Sequence, residues 1–161
     1  MVAKIGLLAF IASAFVLLAT NALHAQGPFD PHRNAELDFK IAKTRAEAEH
    51  KRILLDFGAN WCAPCVTLDH LFDTDPEIRR SLDAGFVLVK VPVEIQKDSP
   101  GTRALRRQYP KFNLVPHLLV VDPKGKKLWD QPNGPLMSDL RKGIWNSRAV
   151  LAFLDKWGSQ E

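Results

Sequence analysis

The chain has 161 residues, a formal net charge of +4, and 46% apolar and 25% charged side chains. That length holds one domain with a real core rather than two, and the composition excludes a disordered chain. The positive excess falls in short blocks (Arg103, Arg106, Arg107 and Lys111; Lys124, Lys126 and Lys127) without interleaved aromatics. Blocks of that kind are solvated faces, so no nucleic-acid partner is expected.

Residues 1–25 read as a signal peptide. Lys4 supplies a positive start, Ile5 to Leu18 an apolar run, and small residues follow to Ala22 and Ala25. Cleavage after Ala25 is expected. The alternative is an uncleaved anchor in the inner membrane, for which the run is short. Export places the domain in an oxidising compartment, the periplasm in a Gram-negative source. Residues 26–35 read as a flexible lead-in and residues 36–161 as the domain.

The domain opens with a helix over 36–50 whose apolar face is Leu37, Ile41, Ala42, Ala46 and Ala48, ended by the cations His50-Lys51-Arg52. Ile53 to Phe57 is an apolar strand interrupted only by Asp56, the pattern of a strand buried on both faces. A helix opens at Cys62, with Pro64 in its first turn and Val66, Leu68, Leu71 and Phe72 as apolar positions. Thr74-Asp75-Pro76-Glu77 reads as a capping box that starts a further helix, ended by Gly85. Phe86 to Val93 is a second strand in which Pro92 marks an edge or an end.

Ser99-Pro100-Gly101 opens a helix with Leu105 and Tyr109 inward, stopped at Tyr109-Pro110. His117 to Val121 is a third strand, and a turn at Pro123 to Lys126 leads to a fourth around Lys127 to Asp130. Residues 131–145 carry no clear period. Ser147 is placed as the cap of a last amphipathic helix carrying Val150, Leu151, Phe153, Leu154 and Trp157. The order predicts an α/β domain with a mixed central sheet and helices on both faces.

Chemistry concentrates in Asp56-Phe-Gly-Ala-Asn-Trp61-Cys62-Ala-Pro-Cys65, which holds the only two cysteines. A thiol at a helix N-terminus meets the positive end of the macrodipole and unpaired N–H groups, both of which favour thiolate. A second thiol one turn on is close enough to form a disulfide. A zinc half-site lacks its second pair, a c-type haem site lacks the His that Val66 replaces, and a structural staple would close only a small loop. No metal and no cofactor are expected.

The chain resembles the thioredoxin superfamily from about residue 36 to 157. Trp61-Cys62-Ala63-Pro64-Cys65 is similar to its W-C-x-P-C motif, Asp56 to its buried acid, Lys90 to the lysine near that acid, and Val115-Pro116 to its cis-proline signature. Leu71 to Ile78, followed by Phe86-Val-Leu-Val-Lys-Val, resembles the periplasmic reductase type and the C-terminal domain of thiol:disulfide interchange proteins. The resemblance implies an exported protein-disulfide oxidoreductase. Ala63-Pro64 departs from the commonest Gly-Pro and lacks the His of oxidising relatives, which inclines the reading to a reductase. A disulfide oxidase or isomerase, or a binding or chaperone module without turnover, is the alternative.

In this reading Cys62 is the nucleophile, Cys65 the resolving thiol and Asp56 the base that deprotonates Cys65. Trp61, Pro64, Lys90, Val115 and Pro116 modulate the dithiol or dock substrate, Pro116 by exposing an edge to an extended peptide. His117 stays outside the catalytic set. Expected partners are protein or peptide disulfides and a membrane-bound electron donor, with the protein itself a monomer.

Overall fold

The computed structural model describes residues 27–109, 112–131, 134–139 and 141–158. The signal-peptide segment and Pro110 lie outside the described residues. Helix α1 spans Ala35–Ala48, β1 Arg52–Gly58, α2 Ala63–Thr74, α3 Pro76–Gly85, β2 Phe86–Pro92 and α4 Pro100–Gln108. Strand β3 spans His117–Val121, β4 Lys127–Gln131, β5 Met137–Asp139, β6 Ile144–Trp145 and helix α5 Ser147–Gly158.

Four strands form one sheet in the order β2-β1-β3-β4. β1 pairs parallel with β2 and antiparallel with β3, and β3 pairs antiparallel with β4. The mixed sheet expected from the element order is therefore present. β2 lies at an edge, where Pro92 withholds no hydrogen bond from a central ladder.

Strand alternation sends side chains to two layers. Ile53, Leu55 and Phe57, with Val87, Val89 and Val91, pack on one face in the cluster that includes Phe39 of α1 and Leu105 of α4. Leu54, Leu118 and Val120 pack on the other, with Leu68 and Phe72 of α2, Ile78 and Leu82 of α3, and Val150, Phe153 and Leu154 of α5. Asp56 and Lys90 fall on the second parity. They are also register partners across β1 and β2.

Three local expectations change. The buried face of α1 is Ala35, Phe39, Ala42 and Ala46, while Leu37 and Ile41 are exposed. The 35, 39, 42, 46 series is a helical stripe carried mainly by small side chains, so a reading led by Leu and Ile is turned away from it. The cap of α3 is Asp75 rather than Thr74: Asp75 Oδ1 accepts from the N–H groups of Glu77 and Ile78 at 3.0 and 3.1 Å. Thr74 instead ends α2 and donates to the His70 carbonyl. Asn146, not Ser147, caps α5, its Oδ1 accepting from Ala149 N–H at 3.2 Å. Each true cap stands one residue from the position expected.

The unassigned stretch after β4 contains a 3-10 turn at Gly134–Leu136 and the small β5–β6 hairpin. Trp129 packs against Phe153 and Trp157 of α5, at ring-centroid distances of 5.0 and 5.8 Å.

Candidate active site

β1 ends at Gly58, and the chain turns once before α2 begins. Cys62 occupies the N-cap of α2, with Pro64 at the second helical position, where no N–H is required. Cys62 and Cys65 are joined by a disulfide, with Cα atoms 5.2 Å apart. Cys62 retains 6% exposure and Cys65 none. Cys62 Sγ accepts a 3.3 Å hydrogen bond from Cys65 N–H, so the first turn of the helix directs a donor at the outer sulfur. The same sulfur lies 3.6 Å from the Val115 carbonyl oxygen. The Val115–Pro116 peptide bond is cis, and Pro116 is buried.

On the sheet below α2, Asp56 is fully buried and its Oδ2 accepts from Lys90 Nζ at 2.7 Å. Its other oxygen, Oδ1, accepts no hydrogen bond among the described residues. Lys90 Nζ also reaches Asp69 Oδ1 of α2 at 2.8 Å. The ammonium thus bridges two carboxylates, one from β1 and one from α2. Burial pushes the Asp56 carboxyl above its ordinary value, and Lys90 offsets only part of that rise. Burial works against the Lys90 charge, but the Asp56 and Asp69 carboxylates outweigh it and hold the ammonium above its ordinary value.

Trp61 is 53% exposed and forms one side of a groove of about 300 Å3 with Ile95, Phe112, Leu114 and Val115. Ile95 and Leu114 are each 76% exposed, so the groove has an apolar rim. Its lining joins Trp61, beside Cys62, to Val115, beside Pro116. The structure therefore separates the expected site residues into two groups around the disulfide. Trp61 and Val115 line the outer groove, while Asp56 and Lys90 form an inner cluster with Asp69. Pro64 faces a third neighbour: its carbonyl accepts from Trp145 Nε1 at 2.9 Å.

Three contributors escape a reading of the sequence. Asp69 follows Cys65 by four residues and so shares its helix face, a spacing that points to it once α2 is placed. Trp145 comes from β6, 81 residues from Pro64, and has no local signal. Phe29 comes from the expected flexible lead-in, yet it is 1% exposed and packs with Ala59, Cys62 and Cys65. His117 stacks on Phe112 at 4.1 Å, and its Nε2 stands 2.9 Å from Asp130 Oδ1.

A redox pair at the head of a helix, mounted on this mixed α/β sheet, is the arrangement of a thioredoxin-fold thiol:disulfide oxidoreductase. The chain belongs to the Thioredoxin-like family, whose model matches residues 33–123. It is 26% identical over 104 residues to the thiol:disulfide interchange protein DsbD of Haemophilus influenzae, covering 65% of this chain and 17% of that protein. It is 30% identical over 115 residues to thiol:disulfide interchange protein DsbD 1 of Pseudomonas aeruginosa, covering 68% of this chain and 18% of the relative. The chain thus spans less than a fifth of the length of these curated relatives. Among solved structures, a disulphide isomerase from Xylella fastidiosa Temecula1 superposes with a TM-score of 0.66 at 28% identity, over 82% of this chain and 97% of that one. The reduced C-terminal domain of Neisseria meningitidis DsbD shares the fold, with a TM-score of 0.54 at 22% identity, over 75% of this chain and 95% of that one.

Proposed function

We propose that this protein is an exported reductase of protein disulfides, and that its electrons leave through Cys62. The Cys62 thiolate attacks one sulfur of a target disulfide, and the other target sulfur departs as a thiolate. Cys65 then attacks Cys62 Sγ, which forms the Cys62–Cys65 disulfide and releases the second target thiolate. Two electrons pass from the dithiol to the target. A membrane-bound dithiol donor restores the pair by the reverse exchange.

The reading is carried by the inner cluster. Cys65 is fully buried, and Asp56 has a burial-raised carboxyl with one unpartnered oxygen, Oδ1, on the sheet beneath α2. A buried thiol needs a nearby proton acceptor before it can resolve a mixed disulfide, and Asp56 supplies one through an intervening water. Lys90 modulates that acid. The outer groove between Trp61 and Val115 takes the target chain, and the cis bond to Pro116 holds the Val115 carbonyl beside Cys62. The carboxylates of Asp56 and Asp69 against the single ammonium of Lys90, with no cation between the cysteines, disfavour accumulation of thiolate charge and make the pair reducing.

Residues 1–25 direct export and residues 36–161 form the acting domain, in the periplasm of a Gram-negative source. Among the described residues no helix is long and apolar enough to cross a membrane. The Xylella neighbour supports a second reading, disulfide isomerisation. The reduction potential of Cys62–Cys65 separates the two directions. A reductase requires a value nearer the roughly −270 mV of thioredoxin than the roughly −120 mV of a strong oxidant, and a value near the latter overturns the proposal.

A further inference from the structure

Phe29 belongs to no helix or strand, yet it is among the most deeply buried side chains. Neither main core cluster contains it. It packs instead with Ala59, Cys62 and Cys65, and its ring centroid lies 5.0 Å from Lys90 Nζ. The electron-rich ring face and the two carboxylates therefore meet the same ammonium.

The chain around Phe29 is fastened to the motif. Phe29 N–H donates to Asn60 Oδ1 at 3.0 Å, and the Phe29 carbonyl accepts from Asn60 Nδ2 at 2.8 Å. Both bonds join residues 31 positions apart. Space for the ring is made by Gly58, where a Cβ would run into the Phe29 ring. A segment ahead of the first helix is thus buttoned at two backbone atoms and inserts one aromatic side chain beside the redox pair.

We propose that Phe29 is a positioning residue for thiol–disulfide exchange: its ring closes the inner end of the site, keeps bulk water from Asp56, and holds the ammonium between the two carboxylates. The charged groups of the inner cluster are Asp56 from β1, Lys90 from β2 and Asp69 from α2. On the strap itself, Asp30 accepts from the His32 N–H and Arg33 pairs with Asp38. With the ring in place Asp56 is shielded from bulk solvent. Without it, water enters and the desolvation that raises the Asp56 carboxyl is relieved. The closure follows from packing alone, and its kinetic consequence rests on the reading of Asp56 as the acceptor of the Cys65 proton.

The test follows the Asp56 carboxyl carbon by NMR through a pH titration of the reduced full chain. In Phe29→Ala the midpoint is expected to fall by on the order of one pH unit, and Phe29→Leu is expected to restore most of it. A merely structural role would lower stability without moving the midpoint in the folded protein, and coincident midpoints in wild type and Phe29→Ala overturn the proposal. Should Phe29→Ala fail to fold, Asn60→Ala removes both fastening bonds from an exposed position. It is expected to move the midpoint in the same direction by a smaller amount, and an unmoved midpoint there overturns the proposal equally. In parallel, Cys62 is loaded with glutathione and its release by Cys65 is timed across pH. A midpoint that falls together with the acidic limb of this rate supports both ideas. A midpoint that falls while the limb stays fixed supports the strap and removes Asp56 as the base.

Discussion

Lys90→Met is the most exacting perturbation of the inner cluster, because it keeps the length of the stem and removes only the charge. The Lys90 side chain is 18% exposed, and its ammonium contacts Asp56, whose side chain is fully buried, and Asp69, whose side chain is 23% exposed. Asp69 can regain solvent, so its loss is of the order of an exposed pair, about 0–1 kcal/mol. Asp56 cannot. Leaving one partner of a buried pair charged costs about 3–5 kcal/mol. The alternative is for Asp56 to hold a proton, at about 1.4 kcal/mol for each pH unit above its ordinary value of 3.8. At pH 5 that route costs about 1.6 kcal/mol and wins, whereas at pH 8 it costs about 6 kcal/mol and the direct loss sets the ceiling.

With Lys90 gone nothing offsets the burial that raises the Asp56 carboxyl, so in the window above pH 3.8 folded Lys90→Met holds a proton that the unfolded chain does not, and holds it to higher pH than wild type. Its stability therefore falls as pH rises through that window. Urea unfolding of the oxidised protein should show a loss, relative to wild type, of at most about 1–2 kcal/mol at pH 5, where the wild-type carboxyl is already raised, and of about 3–5 kcal/mol at pH 8. An equal loss at both pH values, or one below about 1 kcal/mol at pH 8, would refute the placement of an ionised Asp56 beneath that ammonium.

Gly143→Ala tests the contact of the β5–β6 hairpin with the motif. Gly143 has φ +65, and a Cβ there would lie 2.5 Å from Pro64 Cγ, so a loss of about 1–3 kcal/mol in thermal unfolding is expected with a shift in the Cys62–Cys65 reduction potential. An unchanged potential would limit the hairpin to a structural role. His117 is held below its ordinary value of 6.5, chiefly by burial and despite Asp130. The unfolded chain then takes the proton first as pH falls, so the stability this residue contributes is present above about pH 6.5 and is lost below it. His117→Phe should flatten that part of the stability–pH curve, and a curve identical to wild type would exclude His117 as its source.

What could be read from the sequence was whatever repeats or stands out locally. Asp56 and Lys90 are polar interruptions in otherwise apolar strands, and the β1–β2 register turns those two anomalies into one ion pair. Cys62 and Cys65 are spaced by one helical turn, and Pro64 marks where that turn begins. The same reasoning extended by four residues reaches Asp69. It fails for α1, where Ala35, Ala42 and Ala46 carry the buried stripe and the larger Leu37 and Ile41 face solvent. It fails also for Phe29 and Trp145, whose contacts with the motif span 31 and 81 residues and follow no period.

Those two failures have a common cause. The family match covers residues 33–123, which includes the cysteines, Asp56, Asp69, Lys90 and Pro116 but neither Phe29 nor Gly143 and Trp145. The reacting groups lie within residues 33–123. The groups that close around them come from segments on either side of that span, an irregular strap before it and the β5–β6 hairpin after it: Phe29 packs against the cysteines and Lys90, and Trp145 donates to Pro64. Desolvation and donor placement control thiolate chemistry without changing the cysteines themselves. Segments outside the four-stranded sheet can vary while that sheet and its pairing remain intact. The physical setting of the dithiol is therefore adjusted in part from segments outside residues 33–123, and substitutions at Phe29 and Trp145 are expected to change the behaviour of the pair while leaving the motif itself intact.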